Sequence, residues 1–371
     1  MRVVTAFFLA VLASTAYGEA ETRYLAGVDL GSKGAKGALF YFAQEPDGPA
    51  ERVVYGRTIN HKLVSSMNGE QFTEAGIEDA ADAVKDLIDE MKARAKKEGF
   101  QQVEYFVVGS SGVAKGKNKA DLVVAIKKAS GIDIEFVSAK REGYYGLISS
   151  VPPRRRNVAL YVDIGSGNTK LGCLVGSSDL ADFRDAEIPF GLLSLRNLAA
   201  EENSADLVAG IQKVVKEKLR PAYERESLDT PCLRNRQRIY WTGGAAWATA
   251  TFMHPERSLR PYVVITKQDL DAFASRLNDG SWNQKPLEYS FPADASAGRQ
   301  KEVRDKAEQD RNDVMNTFVR EDLLSGIAIV KSVLGASNPS AILQFVRSGN
   351  YLYGYAREKF KEDRDLDDPD N

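Results

Sequence analysis

The sequence predicts an α/β protein of two similar domains with mixed sheets and a ligand cleft between them. Three observations lead there. Residues 26–40 and 159–174 repeat one pattern: an apolar strand ending in Asp-x-Gly-Ser, a small polar turn, a Lys and a second apolar run. Each copy then opens a comparable succession of strands and helices. At 371 residues the chain has room for two domains of ordinary size, and its 43% hydrophobic and 27% charged residues describe a globular protein.

In the first half, Tyr24–Asp29 and Lys36–Phe42 read as a β-hairpin, with a third strand over Arg52–Lys62. Ile77, Ala80, Val84, Leu87, Ile88 and Met91 recur at helical spacing and predict an amphipathic helix over Thr73–Lys97. A strand over Val103–Val108 runs into the loop Gly109-Ser110-Ser111-Gly112, and a helix over Lys119–Ala129 stops at Gly131. A strand at Ile132–Val137 and a helix from Glu142 to Ser149 complete the unit before Pro152 and Pro153.

The second half restarts with a hairpin over Val158–Val175, a strand near Glu187 and a helix over Asn203–Leu219. A strand over Arg238–Thr242 meets Gly243-Gly244 and a helix from Ala245. Residues 281–312 are polar and read as an exposed, partly mobile insertion or lid; Asp322–Leu334 is a helix and Ala341–Phe345 a strand. The expected division is a signal segment over 1–20, domain I over 21–153, domain II over 154–360 and a disordered acidic tail over 361–371.

Arg2, the apolar stretch Val3–Ala13 and the small residues around Gly18 and Ala20 have the pattern of a cleavable secretory signal. The apolar stretch is shorter than the roughly 20 residues a spanning helix needs. The chain is therefore expected to be periplasmic or secreted, with no membrane partner after cleavage. A net charge of −2 argues against nucleic acid as a partner, and Arg154, Arg155 and Arg156 read as a solvated linker. Cys173 and Cys232 allow one disulfide or two thiols. His61 and His254 lack the neighbours that a Cys/His metal site or a Ser-His-Asp centre requires.

The repeated turn carries the chemistry. A backbone folded back through Gly and Ser presents several N–H groups at its tip, and such a concavity binds anions. Gly31, Ser32, Gly165, Ser166 and Gly167 are thus phosphate-binding candidates, with Lys36 as a point charge and Ser110 and Ser111 in reach of terminal phosphates. Asp29 and Asp163, one at the end of each first strand, are candidates to hold a divalent cation, Mg²⁺ or another, through water.

These residues resemble a known group. Asp29-Leu30-Gly31-Ser32 with Lys36, Asp163-Ile164-Gly165-Ser166-Gly167 and Thr242-Gly243-Gly244 look like the two phosphate loops and the nucleotide-side glycine loop of the actin/sugar-kinase/heat-shock-chaperone superfamily. The run from Asn118 through Ser138, together with Leu324–Ala328 and Arg347–Gly354, is most similar to the exopolyphosphatase/guanosine-pentaphosphatase (Ppx/GppA) family. Secreted apyrases are a close second, through Glu142-Gly143-Tyr144-Tyr145-Gly146-Leu147. The resemblance implies two duplicated actin-like (ribonuclease H-like) domains, and both families place a catalytic glutamate at the position of Glu142. It also implies that Gly243 and Gly244 line the nucleotide side. Two departures stand out: Arg141 precedes Glu142 where the Ppx/GppA motif has a second acid, and Lys170 replaces an acid at the end of the second loop.

The leading expectation is an exported, Mg²⁺-dependent hydrolase of polyphosphate or nucleoside polyphosphates in which Glu142 activates water. The alternative is a non-catalytic phosphate- or nucleotide-binding sensor or scaffold of the same fold. A cytoskeletal polymeriser is disfavoured by export, because free ATP is scarce outside the cytoplasm.

Overall fold

The computed structural model describes residues 22–367, apart from 32–33, 46–47, 62, 64–69, 177–178 and 348–350. The expected signal segment and Ser32 lie outside the described residues.

The first half forms a meander of β1 (Thr22–Leu30), β2 (Gly34–Glu45) and β3 (Gly48–Asn60). Helix α1 (Glu74–Glu98) crosses to β4 (Val103–Gly109), α2 (Lys119–Ser130) crosses to β5 (Ile134–Phe136), and α3 (Ala139–Ser150) leads out. A second meander, β6 (Ala159–Ile164), β7 (Thr169–Leu174) and β8 (Phe183–Ile188), follows. Then come α4 (Leu192–Glu202), α5 (Leu207–Val214), α6 (Arg220–Ser227), β9 (Arg238–Gly243), α7 (Gly244–Met253), β10 (Tyr262–Ile265) and α8 (Lys267–Asn278). The chain closes with α9 (Ala297–Thr317), α10 (Arg320–Ala336), β11 (Ile342–Val346) and α11 (Tyr351–Asp367).

Strand order makes the duplication explicit. The first sheet runs β3-β2-β1-β4-β5 and the second β8-β7-β6-β9-β11-β10. In each, an antiparallel meander is extended by parallel strands that leave beside the first strand. The second sheet adds β10 as an antiparallel edge. Ligands in such sheets gather where the parallel strands end. Those ends are Leu30 beside Gly109 in the first sheet and Ile164 beside Gly243 in the second.

The core has three parts. Helices α1 and α2 cover the outer face of the first sheet through Ala80, Val84, Leu87, Ile88, Leu122 and Ile126. Helices α4 to α10 cover the outer face of the second, around Trp241, Phe252 and Phe273. Between the sheets lies an aromatic layer made by α3 and α11, with Phe40, Phe42 and Phe106 on one side and Tyr161, Phe183 and Tyr240 on the other. Since both faces of each sheet are covered, the last six residues of β1 and all six of β7 are buried, without the alternation of a half-exposed strand.

Local signals set the helix ends near the cleft. Thr73 caps α1, accepting from the Gly76 N–H, and Gly99 closes it at φ +76°. Ser138 caps α3, accepting from the Arg141 N–H, which fixes Glu142 in the first turn.

Four sequence expectations are corrected. Residues 281–312 are no mobile lid: their second half enters α9, whose Val303, Ala307, Asp310 and Val314 are buried against the second domain. The tail is not disordered from residue 361, because α11 continues through Asp367. That helix does not stay with domain II either; it packs against α3, β1 and β2, so the chain's end returns to the first domain. The helix read as 203–219 divides into α5 and a π-helical stretch over Val215–Leu219, with α4 ahead of it. The docking of α11 on α3 is close, since a Cβ on Gly354 would stand 2.4 Å from the Tyr145 carbonyl oxygen.

Cys173 and Cys232 form a disulfide that ties β7 to the segment before β9 across 59 residues of chain. The chain-entropy relation for a loop of that length gives about 4 kcal/mol of stabilisation. Replacing both cysteines by alanine is expected to lower the unfolding free energy by about that amount. Urea titration of the oxidised wild type and the double variant checks this, and equal midpoints with equal slopes would refute it.

Candidate functional site

The two repeated turns are built alike, bond for bond. In the first hairpin Asp29 pairs with Lys36 across the ladder, and the Gly31 N–H donates to the Gly34 carbonyl at 3.0 Å. In the second, Asp163 pairs with Lys170, and the Gly165 N–H donates to the Asn168 carbonyl at 3.0 Å. Each hairpin thus brings one carboxylate and one ammonium to its tip, seven residues apart in both copies.

The copies differ in depth. Lys36 is 48% exposed at its side chain and stands 4.0 Å from Asp29 Oδ2. Lys170 is buried, with its Nζ 2.6 Å from Glu142 Oε1 and 3.7 Å from Asp163 Oδ2. Glu142 arrives from α3, and its other oxygen, Oε2, accepts the Ser111 N–H at 3.0 Å and the Ser111 Oγ–H at 2.8 Å. Ser111 is placed by Ser110, whose N–H donates to the Leu30 carbonyl at the end of β1. Ser110 Oγ accepts from the Val113 N–H at 3.4 Å, so its hydroxyl serves the turn.

Asp29 completes the floor. It is buried and accepts a 2.6 Å hydrogen bond from the Tyr351 hydroxyl at the start of α11. Burial pushes the Asp29 carboxyl up to about 6, against Lys36 and the Tyr351 hydrogen bond, which lower it. Burial alone would lower Lys170, but Glu142, Asp163 and Asp29 outweigh it and hold the ammonium above its ordinary value. One lysine therefore feels a carboxylate from each hairpin and the glutamate of α3. That convergence places the two turns at one site.

Gly165, Ser166 and Gly167 line the more open side. Their carbonyls are tied back to the start of α4: Leu192 N–H to Gly165 at 2.9 Å, Leu193 N–H to Ser166 at 2.8 Å, and Ser194 Oγ–H to Gly167 at 2.9 Å. Gly243 and Gly244 sit beside this hairpin through the β6–β9 register. Gly243 has φ +100°, and a Cβ there would stand 2.4 Å from the Ile164 carbonyl oxygen, so only glycine fits. Thr242 Oγ1 donates towards Asp163 Oδ1 at 3.1 Å.

Three participants were not assigned a role from sequence. Tyr351 is one. The others are Asn168 and Lys115, which both donate to Glu187 Oε1 at 2.7 Å; the Lys115 bond crosses between the two domains at the site's edge. Lys170 was visible as a departure, and its spacing from Asp163, the same as Lys36 from Asp29, was the signal for its place. Arg141 lies away from the carboxylates, 3.4 Å from Glu135 and with its Nε donating to the Tyr145 hydroxyl.

The donor set bears on the expected divalent ion. Glu142 and Asp163 hold the Lys170 ammonium between them, and an Mg²⁺ at the same carboxylates would meet that charge. The site as folded fits lysine better than it fits Mg²⁺. Among the described residues no three His, Cys, Asp or Glu side chains gather as a metal site.

No protein-family model matches the chain, and no curated protein is similar to it in sequence. Solved structures are similar in fold. A Ppx/GppA family member from Aquifex aeolicus superposes with a TM-score of 0.62 at 16% identity, over 92% of this chain and 99% of that one. An exopolyphosphatase from Cytophaga hutchinsonii gives 0.62 at 16% identity, over 92% and 98%. An exopolyphosphatase-like protein gives 0.62 at 14% identity, over 90% and 96%. The chain has the two-domain α/β fold of these structures.

The raised Asp29 carboxyl makes a prediction. Its folded pKa of about 6 exceeds the unfolded 3.8, so the folded state binds this proton more tightly and stability falls as pH rises from about 4 to about 6. At neutral pH the buried charge costs up to about 3 kcal/mol, at 1.36 kcal/mol per pKa unit. Asp29→Asn, which still accepts from Tyr351, is expected to raise stability by up to that amount at pH 7 and by little at pH 4. Chemical denaturation at both pH values tests this, and a variant less stable at pH 7 would contradict it.

Proposed function

We propose that this chain is an exported phosphoanhydride hydrolase acting on polyphosphate or nucleoside polyphosphates. The single observation that carries the reading is the buried Glu142 carboxylate, held where the two Asp-x-Gly hairpins and the Ser111 loop meet. Hydrolysis of a phosphoanhydride needs its charge neutralised, a water aligned and a base for that water's proton. Lys36 supplies the first. Glu142 supplies the last: water oxygen bonds to the terminal phosphorus, the bridging P–O bond breaks, its electron pair leaves with the shortened chain, and Glu142 takes the proton.

The comparison structures that share this fold include exopolyphosphatases, which supports the substrate class. The basic, apolar and small-residue pattern at the N-terminus supports export, and the Cys173–Cys232 disulfide suits an oxidising compartment.

One observation favours a second reading, a non-catalytic binder of the same ligands. Both carboxylate oxygens of Glu142 are already engaged, one by Lys170 and one by Ser111. A base so occupied must exchange partners before it can accept a proton from water.

Phosphate release from polyphosphate and from ATP separates the two. The hydrolase reading expects release by wild type and a loss of about 10²–10⁴-fold in Glu142→Gln. Release by neither protein, with thermal stabilisation by the same ligands, would select the binder.

A further inference from the structure

We propose that Lys170 is a resident cation that stands in for a divalent metal ion, so that the cleft takes up phosphate chains without metal. The inference rests on the phosphoanhydride reading above and concerns how the ligand's charge is balanced.

Two carboxylates, Glu142 and Asp163, meet at Lys170 on the cleft floor, and a third, Asp29, sits beside Lys36. Left uncompensated, they would repel a polyanion. A hard divalent ion with oxygen ligands is the usual remedy, and the carboxylates would be its ligands. Here the compensation is covalently part of the chain. The ladder register fixes Lys170 opposite Asp163, its stem is buried in β7, and its ammonium bonds Glu142 at 2.6 Å. At 7% side-chain exposure the charge is little screened by solvent salt.

An ion entering between Glu142 and Asp163 would have to expel a lysine that both already hold. The lysine, in contrast, can share its three donors between the carboxylates and an arriving phosphate oxygen. The first hairpin repeats the device at the rim, where half-exposed Lys36 stands beside Asp29. Each Asp-x-Gly turn therefore carries its own counter-charge, and the pair offers two ammonium groups to one phosphate chain.

The test uses the full chain and tripolyphosphate as probe, by titration calorimetry at matched ionic strength with either EDTA or Mg²⁺. Wild type is expected to bind with dissociation constants within about twofold in the two conditions, and Mg²⁺ alone is expected to leave its melting temperature unchanged. Lys170→Glu is expected to lose about tenfold or more in EDTA and to recover in Mg²⁺, with Mg²⁺ alone raising its melting temperature. Lys170→Gln covers the case in which the glutamate variant does not fold, and should lose affinity in EDTA likewise. Wild-type binding that weakens about tenfold or more when Mg²⁺ is withdrawn would overturn the proposal and leave the phosphate reading intact. So would a Lys170→Gln protein that binds as wild type does in EDTA. Binding in neither condition would instead remove the phosphate reading, and this inference with it.

Discussion

The contact between Lys170 and Glu142 is the constraint on which the rest of the site depends. It joins β7 of the second domain to α3 of the first at 2.6 Å, away from solvent. Breaking one partner of a buried pair leaves the other charged and unsolvated, which costs about 3–5 kcal/mol. With Ser111 on the other oxygen of Glu142, the pair ties the Ser111 loop of the first half to β7 of the second at the cleft floor. Everything else at the cleft floor is arranged around it. Ser111 satisfies the other oxygen of Glu142, Asp163 and Thr242 flank the lysine, and Asp29 balances it from the far hairpin.

Duplication explains why such a site exists, and divergence explains its asymmetry. The two hairpins share register, turn geometry and the order of charged residues. One lysine remains at the rim and the other has become part of the interior. The difference comes from surroundings rather than from the turn itself. The second hairpin is pinned by α4, and α3 packs across β6, β7 and β8 and presents Glu142 to it. A similar local sequence thus gives an exposed charge in one domain and a buried one in the other.

The hairpins, the amphipathic α1, the end of α2 at Gly131 and the two-domain plan were legible because their signals are local: a Gly-Ser turn, a 3.6-residue stripe, a glycine after the last helical turn. Elements were missed where tertiary packing overrides composition. Helix α9 is strongly polar, yet Val303, Ala307, Asp310 and Val314 make a buried stripe, with Asp310 held by Lys306 and Arg347. Helix α4 begins after Gly191, which gives no side-chain cap, and so lacks a start signal. Helix α8 did carry one, the Thr266–Asp269 capping box, which went unread. At the site, the candidate residues could be named from the repeated turns, but their partners could not. Glu142 meets a lysine 28 residues away, and Asp29 meets a tyrosine 322 residues away. No spacing rule encodes such pairs.

The return of α11 orders events in time as well as in space. Its tyrosines and phenylalanine fill the aromatic layer between the sheets, and Tyr351 reaches back to Asp29 near the chain's beginning. A growing polypeptide has already released both hairpins before this closing helix is made. The earlier-made half is thus finished by a segment made after its twin, and the pocket the two share cannot be complete before α11 has left the ribosome.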